Sequence, residues 1–573
     1  MRNDEVAGML ETLANLLEFR GENPFKLNAY RKAARVVRDL TEDVATLVRE
    51  NRLKELPGIG ESIEKKIVQA VMTGKIEKLT EVLKTVPSGV LRMMEIPGVG
   101  PRTAARVHEK LGINTFEEFT EAARAGKLAG LPGIGAKKAA GFLGAIEFAR
   151  ASSRRMLLGE ALPLVEKIVA QLEERGVKGA LAAGSLRRMR ETIGDLDILA
   201  AGLPTGAGSD SGRIIGAFTK LPEVRRVLGA GGTKASIVME SDVQVDLRVV
   251  PPESFGAALQ YFTGSKAHNV RLRAMARERG LKLSEYGLFK GEKRIAGRTE
   301  EEVYRALKLP LIPPELREDR GEIEAAQKGA LPKLIEMDDI QGDLHVHTKW
   351  SDGRNTIEEM ARAARALGRK YIAISDHTTA LKVFGGLDVD GLMKEIAEVR
   401  ATAKKLRGIT LLTGTEMDIR ADGALDLPDA ALAKLDFVTA SVHSAFKQDQ
   451  EKMTRRILKA VANPNVDCIG HLTGRLLSRR EGYAVDVDAV LKAAARNGTA
   501  IELNANPLRL DLTDQACRRA KELGVKVVIN TDAHSTEDLQ LMRYGVATAR
   551  RGWLEKSDVL NARPTPPKGK SGK

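Results

Sequence analysis

Cysteine and aromatic residues are scarce in this sequence. Of 573 residues, 2 are cysteine, and phenylalanine, tryptophan and tyrosine together make up 4%. The cysteines, Cys468 and Cys517, lack C-x-x-C spacing and are too few for a disulfide framework, so we expect buried thiols in a reducing compartment, the cytoplasm. The scarcity of aromatic side chains argues against a binding surface built on aromatic stacking.

Long hydrophobic runs are also missing. No segment reaches the ~18 uninterrupted apolar residues of a membrane span, and the amino terminus lacks a signal-type apolar run, so we expect no membrane partner. Basic residues are in excess instead, with a net charge of +14 and a pI near 9.5. This balance favours a polyanionic partner held through phosphate contacts. The chain length predicts about three to five domains.

A segment suited to phosphate lies between residues 184 and 194. The residues that carry the pattern are Gly184, Ser185, Arg188 and Gly194. Glycine imposes no side chain, so backbone N–H groups can approach phosphate oxygens. An arginine can pair with two of those oxygens, and Arg188 is the strongest candidate for that role. The segment therefore predicts a site for a triphosphate.

Three carboxylates accompany this segment. Asp195 and Asp197 are spaced two apart, and residues with that spacing share one face of a strand. Asp246 lies in an alternating strand pattern, 243–249, that would place it beside the first pair. A lone Asp-x-Asp would be a solvated acidic pair at a strand end, but the full set predicts a two-metal phosphoryl-transfer site.

A pentapeptide with Pro-Gly-x-Gly occurs three times near the amino terminus, at 56–60, 96–100 and 131–135. Each copy precedes a predicted helix that carries lysine or arginine. A glycine hairpin that leads into a helix N terminus presents backbone N–H groups to a DNA phosphate without reading sequence. The hairpin glycines are Gly58, Gly60, Gly98, Gly100, Gly133 and Gly135.

The motif 184–197, the later aspartate and the stretch Tyr261-Phe262-Thr263-Gly264-Ser265 resemble the nucleotidyltransferases of DNA polymerase family X, the polymerase beta group. The resemblance implies dNTP addition to a primer 3′-hydroxyl. Two Mg2+ (or Mn2+) ions would be held by the three aspartates, and Asp246 would accept the hydroxyl proton. The further nucleotide and template contacts that it implies are Tyr261, Phe262, Gly264, Asn269 and Arg273. Core packing is the alternative for Phe262.

The pentapeptide repeats resemble the helix-hairpin-helix motifs with which family X grips the strand beside a gap. The stretch 23–32 resembles the amino-terminal domain of the family, in which Lys26 and Tyr30 would lie near a 5′-phosphate. Lys66 stands at the position of a Schiff-base lysine that some members use to eliminate a 5′-deoxyribose phosphate, and neighbouring Lys65 could depress its pKa. An ordinary phosphate-binding lysine is the alternative, because Ser62 stands at the second lysine position of the family.

Six of the eight histidines follow residue 337. Each lies at the carboxyl end of a short apolar run, and helical segments such as 357–367 and 392–406 separate the runs. Alternating strands and helices with ligands at the strand carboxyl ends are typical of the functional face of a (β/α) barrel. Glu416 and Asp352 fall on the same face. Imidazole mixed with carboxylate suits Mn2+, Zn2+ or Fe2+.

This region resembles the polymerase and histidinol phosphatase (PHP) superfamily, usually a distorted (β/α)7 barrel with three divalent metals. The matching ligands are His345, His347, Asp352, His377, Glu416, His443, His471, Asp532 and His534. The complete set predicts an active hydrolase in which Glu416 bridges metals and a metal-bound hydroxide attacks phosphorus. Lys349, Arg475 and Arg479 are candidate phosphate contacts, and Asp376 is a candidate for orienting a ligand.

The predicted fold is multidomain, α+β and α/β. The expected domains are a helix-hairpin-helix 5′-phosphate-binding (lyase-like) domain 1–80, a helical DNA-binding subdomain 81–155, a nucleotidyltransferase palm with a mixed β-sheet 156–251, a nucleotide-selecting subdomain 252–318, a linker 319–337, a PHP barrel 338–562 and a disordered basic tail 563–573. The order is similar to that of bacterial and archaeal family X DNA polymerases.

This resemblance implies a monomeric repair polymerase that acts on gapped or nicked duplex DNA with dNTPs in base excision repair. The barrel would supply 3′-5′ exonuclease activity, with AP-endonuclease or 3′-phosphatase activity as further candidates. An alternative is a repair nuclease or phosphoesterase whose polymerase half mainly positions DNA. A non-enzymatic scaffold that binds DNA ends would require both metal sites to be vestigial.

Overall fold

The computed structural model describes residues 3–38, 40, 44–56, 58–87, 89–94, 99–132, 134–135, 142, 155–202, 210–379, 385–567 and 569. The chain forms two compact units, Met1–Arg154 and Arg155–Lys573. In the described ranges, no helix combines the length and the apolar character that crossing a membrane requires. Cys468 and Cys517 are buried free thiols, as predicted.

The first unit is helical. Its described helices are α1 (Asn3–Phe19), α2 (Pro24–Arg38), α3 (Val44–Arg49), α4 (Glu61–Thr73), α5 (Glu77–Thr85), α6 (Gly89–Met94), α7 (Pro101–Leu111) and α8 (Phe116–Arg124). Leucines spaced along α1 and small residues of α2, including Leu13, Leu17 and Ala33, are fully buried in one core. Their helical spacing gives each helix one apolar face, which is why the helices pack side by side.

The glycine hairpins lead into helices where both parts are described. Gly60 is the N-cap of α4 and Gly100 the N-cap of α7, both with extended backbone, and Pro101 occupies the first turn of α7. Proline is favoured there because the first helical N–H groups need no partner within the helix. Gly98 and Gly133 lie outside the described residues, as does the segment after Gly135.

The second unit begins with a mixed sheet. Its short elements are β1 (Met156–Leu157), α9 (Leu158–Glu174), β2 (Leu181–Ala182), α10 (Gly184–Arg187), β3 (Thr192–Ile193), β4 (Leu196–Ala201), α11 (Ser211–Thr219), β5 (Val224–Ala230), β6 (Lys234–Met239) and β7 (Gln244–Val250). Five strands have the order β2-β4-β7-β6-β5, and β1 pairs with β3. β4 and β7 are parallel while the other pairs are antiparallel, as expected for the predicted mixed sheet.

A smaller subdomain follows the sheet. It contains α12 (Phe255–Thr263), α13 (Lys266–Glu278), β8 (Lys282–Ser284), β9 (Gly287–Lys290), β10 (Lys293–Ala296), α14 (Glu300–Ala306) and α15 (Glu322–Gln327). The segment 319–337 is not free chain, because Ile323 packs in the core of this subdomain and Ile335 in the core of the barrel.

The carboxyl-terminal part is a parallel barrel. Its elements are β11 (Gly342–Val346), α16 (Ile357–Ala366), β12 (Tyr371–Ile374), α17 (Val389–Lys405), β13 (Thr410–Asp418), α18 (Asp429–Leu432), β14 (Phe437–Ser441), α19 (Gln450–Ala462), β15 (Cys468–Ile469), α20 (Val487–Asn497), β16 (Ala500–Asn504), α21 (Asp514–Glu522), β17 (Val527–Asn530) and α22 (Met542–Arg551). The seven strands pair in sequence order. A parallel bridge from Val346 to Ala533 joins the first strand to the last, which confirms the predicted barrel.

Local sequence signals set where the barrel helices begin. Five N-cap side chains accept a hydrogen bond from the backbone N–H three residues later, and these caps are Thr356, Asp388, Asp449, Asp486 and Thr513. Such caps satisfy N–H groups that the helix itself leaves without a partner. The helices therefore start at defined points after each strand, and this fixes the lengths of the loops that carry metal ligands.

The predicted disordered tail is ordered at its start. The structure describes residues 563–567 and 569, and the Tyr371 hydroxyl donates to the Arg563 carbonyl at 3.1 Å. Pro567 is buried. The polar composition suggested disorder, but this barrel contact holds the first residues. Lys568 and residues 570–573 lie outside the described part of the chain.

Gly256→Ala is expected to lower the free energy of unfolding by about 1–3 kcal/mol. A Cβ at Gly256 would lie 2.1–2.5 Å from backbone atoms of Thr299, so two backbone segments would have to separate. Gly216→Ala in α11 is the matched control, because nothing lies within 4 Å of its Cβ position. Alanine there should stabilise the helix by up to about 1 kcal/mol. Urea unfolding followed by circular dichroism measures both, and equal midpoints would contradict the prediction.

Two candidate metal centres

The first candidate centre lies on the parallel strands β4 and β7. Asp197 of β4 is in register with Asp246 of β7, and Asp195 directly precedes β4. Side chains in register on adjacent parallel strands point to the same side of the sheet. The pleat therefore brings together two aspartates that lie far apart in sequence, as the alternating pattern around Asp246 predicted.

The surroundings of the carboxylates at this centre shift their pKa values. Burial, followed by the charges of Asp246 and Asp195, raises the pKa of Asp197 to about 6. Burial would also raise the pKa of Asp246, but hydrogen bonds from Ser236, Gln244 and Lys234 bring it below its usual value. Gln244 donates to Asp246 at 3.0 Å and Lys234 Nζ lies 3.0 Å from its other oxygen. Neighbouring carboxylates with excess negative charge, two of them half-buried, fit divalent cations.

The segment 184–194, which the sequence predicts to bind phosphate, lines a cleft beside these carboxylates. The cleft has a volume of about 390 Å³ and is lined by Arg155, Ser185, Arg188, Arg190, Gly194, Asp195, Asp197 and Glu318. Gly184 has φ +65°, and a Cβ there would lie 3.0 Å from Asp197 Oδ2. Only glycine fits both the left-handed backbone and the close approach. Sequence reasoning missed Arg155 and Glu318, because both lie outside the motif 184–197, and it assigned no role to Arg190, which lies within that motif.

The Arg188 side chain makes hydrogen bonds within the protein in this structure. Its Nε donates to Glu318 at 3.1 Å, and its Nη1 donates to the carbonyl of Thr263. A Cβ at Gly264, whose φ is +73°, would lie 3.1 Å from the same Nη1. The end of α12 thus approaches the guanidinium so closely that glycine is needed there. Arg188 links the sheet to the smaller subdomain through these contacts.

The other predicted nucleotide contacts lie along α12 and α13. Tyr261 and Phe262 meet edge to face, with ring centroids 5.2 Å apart, and the guanidinium of Arg248 lies 4.6 Å from the Phe262 ring. Asn269 is buried, and its amide accepts from Gln260 and donates to the Tyr261 carbonyl, both at 2.7 Å. A base contact by Asn269 would have to replace these bonds, so that role stays a prediction.

Arg273 also makes an internal contact. Its Nε donates to the Asn269 carbonyl at 3.3 Å, one turn earlier in α13. The residue is exposed and so accessible to a template strand, but the template contact that the resemblance implies stays a prediction as well.

The predicted 5′-phosphate residues are neighbours in the first unit. Lys66 Nζ lies 5.7 Å from the Tyr30 ring and donates to the Ser62 carbonyl at 2.9 Å and hydroxyl at 3.1 Å. Burial, then the charges of Lys26 and Lys78, lowers the pKa of Lys66. Lys65 does not have the expected effect, because it pairs with Glu61 at 2.7 Å on another side of α4. Lysines at i and i+1 diverge on a helix.

The second candidate centre lies at the carboxyl ends of the barrel strands. The predicted ligands form three overlapping groups whose ligand atoms lie within 4.8 Å of one another. These groups are His347-Asp352-His377-His534, His345-His347-Glu416-Asp532 and His377-Glu416-His443. The ninth predicted ligand, His471, places Nε2 2.9 Å from Glu416 Oε1. The barrel thus assembles all nine residues, which lie on six separate segments of the chain.

Glu416 is central to this cluster. One of its oxygens lies 3.0 Å from His377 Nδ1 and 3.4 Å from His345 Nε2, and the other lies 3.2 Å from His443 Nε2. Burial opposes ionisation, but the charges of His443, His345 and His377 hold the pKa of Glu416 well below its usual value. A carboxylate with both oxygens facing imidazoles suits the bridging role that the resemblance implies.

The chemistry of the donor set fits divalent metals. Burial, then the charges of His534 and His377, lowers the pKa of His347 to about 4, so its imidazole is neutral at neutral pH. Buried His347 Nδ1 has no hydrogen-bond partner among the described residues, and its distance to Asp352 Oδ1 is 3.8 Å. A neutral, buried ring nitrogen without a donor is available as a metal ligand.

Several supporting carboxylates were missed by sequence reasoning. One Glu502 oxygen lies 2.7 Å from His345 Nδ1, and the other accepts a hydrogen bond from the His471 backbone N–H at 2.7 Å. Asp418 lies 3.2 Å from His443 Nδ1. A glutamate in the middle of the buried strand β16 was the signal that could have revealed Glu502. These residues orient the ligand imidazoles.

Asp376 and Arg475 have roles that differ from ligand binding. Asp376 accepts from the Thr348 N–H at 2.8 Å and hydroxyl at 2.6 Å, so it holds the loop that carries Asp352. The phosphate contact expected of Arg475 stays a prediction, because it would have to replace or accompany the bonds that Arg475 donates to Glu191 at 2.8 Å and to the Arg509 carbonyl at 2.9 Å. Arg509 is a further cation near the ligands, with Nε 3.7 Å from Asp532.

This fold and these sites define a metal-dependent nucleotidyltransferase joined to a PHP-type barrel. Four family models match the chain: Helix-hairpin-helix domain over residues 1–76, SAM-like Helix-hairpin-helix tandem over 90–141, DNA polymerase beta thumb over 258–318 and PHP domain over 343–506.

Curated relatives agree with these matches. The DNA polymerase/3'-5' exonuclease PolX of Bacillus subtilis is 40% identical over 570 residues, which cover 98% of each chain. Probable phosphatases of Thermoanaerobacter sp. and Caldanaerobacter subterraneus are 32% and 34% identical, over 38% and 34% of this chain and 89% and 77% of their own. The chain belongs to the family X DNA polymerases that carry a PHP domain.

Glu502→Gln is expected to weaken metal binding in the barrel about 10- to 100-fold, because the imidazole of His345 loses its charged orienting partner. Competition with a chromophoric chelator at pH 7.5 measures this affinity. Glu451→Gln on the exposed face of α19 is the control and should bind metal like the parent chain. Unchanged affinity in Glu502→Gln, with an intact far-UV spectrum in both variants, would rule out the orienting role.

Proposed function

We propose that this chain extends primer 3′ ends across short gaps in DNA and trims 3′ ends by hydrolysis, as part of base excision repair. The observation that carries the proposal is the presence of two complete and chemically different ligand sets in one chain. A scaffold that only binds DNA would need neither ligand set. The 3′-5′ exonuclease named in the Bacillus subtilis relative supports the pairing of the two activities.

Synthesis would take place at the sheet centre. Asp195, Asp197 and Asp246 would hold two Mg2+ or Mn2+ ions, which supply charge neutralisation and in-line orientation of the attacking and leaving oxygens. Asp246 would accept the proton of the primer 3′-hydroxyl. Ser185 and Arg188 would bind the triphosphate with the backbone around Gly184 and Gly194. Tyr261, Phe262, Gly264, Asn269 and Arg273 would position the sugar, base and template.

Hydrolysis would take place at the barrel centre. The nine ligands would hold three divalent metals, Mn2+, Zn2+ or Fe2+, which supply an activated water and polarise a phosphoryl oxygen. Glu416 would bridge metals, and Arg509 would meet a phosphate at the rim. The similarity of this part to probable phosphatases supports a phosphoester substrate. AP-endonuclease and 3′-phosphatase activities belong to the same chemistry and are included in the proposal.

The first unit would grip gapped or nicked duplex DNA. Its glycine hairpins present helix N termini, and the net charge of +14 favours a polyanion. Lys26, Tyr30 and Lys66 would bind the 5′-phosphate on the far side of the gap. The depressed pKa of Lys66 is compatible with Schiff-base chemistry, but its contacts with Ser62 serve phosphate binding equally well. The proposal includes that the protein is a monomer and acts in the cytoplasm.

Asp246→Ala should abolish synthesis and leave hydrolysis, and His345→Ala with His347→Ala should do the reverse. The expected loss in each case is at least on the order of 10²-fold, because each change removes metal ligands from one centre. The assay follows a 5′-labelled primer on a one-nucleotide gap with a downstream 5′-phosphate, with Mg2+ or Mn2+, with and without dNTPs.

The matched control is Asp242→Ala. Asp242 is exposed in the turn between β6 and β7 and pairs with Arg225, so both activities should persist. Equal loss of both activities in either test variant would contradict independent centres. Shortening of the primer under every condition, even in the parent chain with dNTPs, would favour a nuclease whose polymerase half only positions DNA.

A further inference from the structure

A carboxylate occupies the cleft that the proposed triphosphate would enter. Glu318 lines the cleft together with Ser185, Arg188 and Asp195, and only 10% of its side chain is exposed. Residue 318 lies in the smaller subdomain, between α14 and α15, and outside every motif that the sequence revealed. An acidic side chain is unexpected here, because a triphosphate would bring further negative charge to the same place.

Glu318 is held by arginines from two parts of the second unit. Its Oε1 accepts from Arg188 Nε at 3.1 Å and from Arg551 Nη1 at 3.0 Å, and Arg190 Nη1 lies 3.7 Å away. Burial would raise the pKa of Glu318, but Arg551, Arg188 and Arg190 lower it to about 2. The side chain is therefore ionised at neutral pH, and the arginines surround it as they would surround a phosphate.

Arg551 comes from α22 of the barrel and has its own anchors. Its guanidinium donates to Asp514 at 2.7 Å and to the backbone carbonyl of Arg188 at 2.7 Å. Asp514 also pairs with Arg320 at 3.0 Å. Because of these anchors, Arg551 would stay in place when the bond between Glu318 and Arg188 breaks. It can therefore keep Glu318 paired after Arg188 has turned to another anion.

We propose that Glu318 is a displaceable counter-anion of the nucleotide site, and that Arg551 of the barrel retains it when an incoming triphosphate takes over Arg188. This inference rests on the proposed role of the cleft in binding dNTPs. Without nucleotide, Glu318 prevents a buried, unpaired guanidinium, which would be costly. With nucleotide, the two anions compete for Arg188. Glu318 thus lowers the affinity for dNTP, and Arg551 raises it by keeping Glu318 paired.

The test measures kcat and KM for dNTP in gap filling by the full chain. Glu318→Gln should lower KM about tenfold, the equivalent of one charge-assisted hydrogen bond, with little change in kcat. Arg551→Met should raise KM by a similar factor, because Glu318 then has Arg188 as its main partner. The double variant should resemble Glu318→Gln, since the effect of Arg551 acts through the carboxylate.

Arg550→Met is the matched control. Arg550 lies beside Arg551 in α22 but pairs with Glu315 at 2.7 Å, so KM should stay at the parent value. A purely structural role of Glu318 predicts the opposite sign, because loss of a support for Arg188 would raise KM. A raised or unchanged KM in Glu318→Gln would therefore overturn the inference.

Two readouts separate this inference from the proposed function. Hydrolysis of a 3′ end by the barrel reports folding of each variant and should stay at the parent rate. If the parent chain fails to extend a primer with any dNTP, the proposed function fails and the inference falls with it. If the parent extends the primer and KM does not respond to Glu318→Gln, the inference alone fails.

Discussion

The placement of ionisable groups close together and away from water is the constraint on which both centres depend. Asp197 is half-buried, and this burial together with the charges of Asp246 and Asp195 raises its pKa to about 6. In the barrel, imidazoles from four strands, β11, β12, β14 and β15, converge on the buried carboxylate of Glu416, and the ring nitrogen His347 Nδ1 has no hydrogen-bond partner in the described part of the chain. A folded chain keeps such groups together only when something compensates them, and the donor sets at both places fit divalent metal ions in that role.

The same constraint shapes the contact between the sheet and the barrel. Arginines and carboxylates from three parts of the second unit meet below the surface, and every one of those described above has a partner of opposite charge. Arg551 touches the backbone of Arg188 as well as Glu318, so the barrel contributes directly to the surroundings of the nucleotide cleft. Apolar packing supports this arrangement, because Leu510 and Tyr544 of the barrel lie in the core of the sheet. The two catalytic parts thus share one framework while their ligand sets remain separate.

The sequence predicted the metal ligands better than it predicted the residues that orient those ligands. Gly184, Asp195 and Asp197 fall within one short motif, and the barrel histidines each follow an apolar strand, so spacing alone revealed them. Glu502 and Asp418 escaped notice because each belongs to a strand whose other role is core formation. Lys65 was chosen for its proximity in sequence to Lys66, whereas the charges that act on Lys66 come from Lys26 and Lys78, on other helices.

The sequence by itself determined the residues able to bind metal and the alternation of strands and helices that carries the barrel ligands, because strand pleat and helix period fix which side chains share a face. The mixed sheet and the number of barrel strands were implied by the resemblance to known families. Only the tertiary structure decided which distant groups meet: Asp246 with Asp197, Glu502 with His345, Arg475 with Glu191, and Glu318 with Arg188 and Arg551. Those pairings depend on how packed elements are placed in space, and long-range electrostatic complementarity leaves no periodic trace in a single sequence.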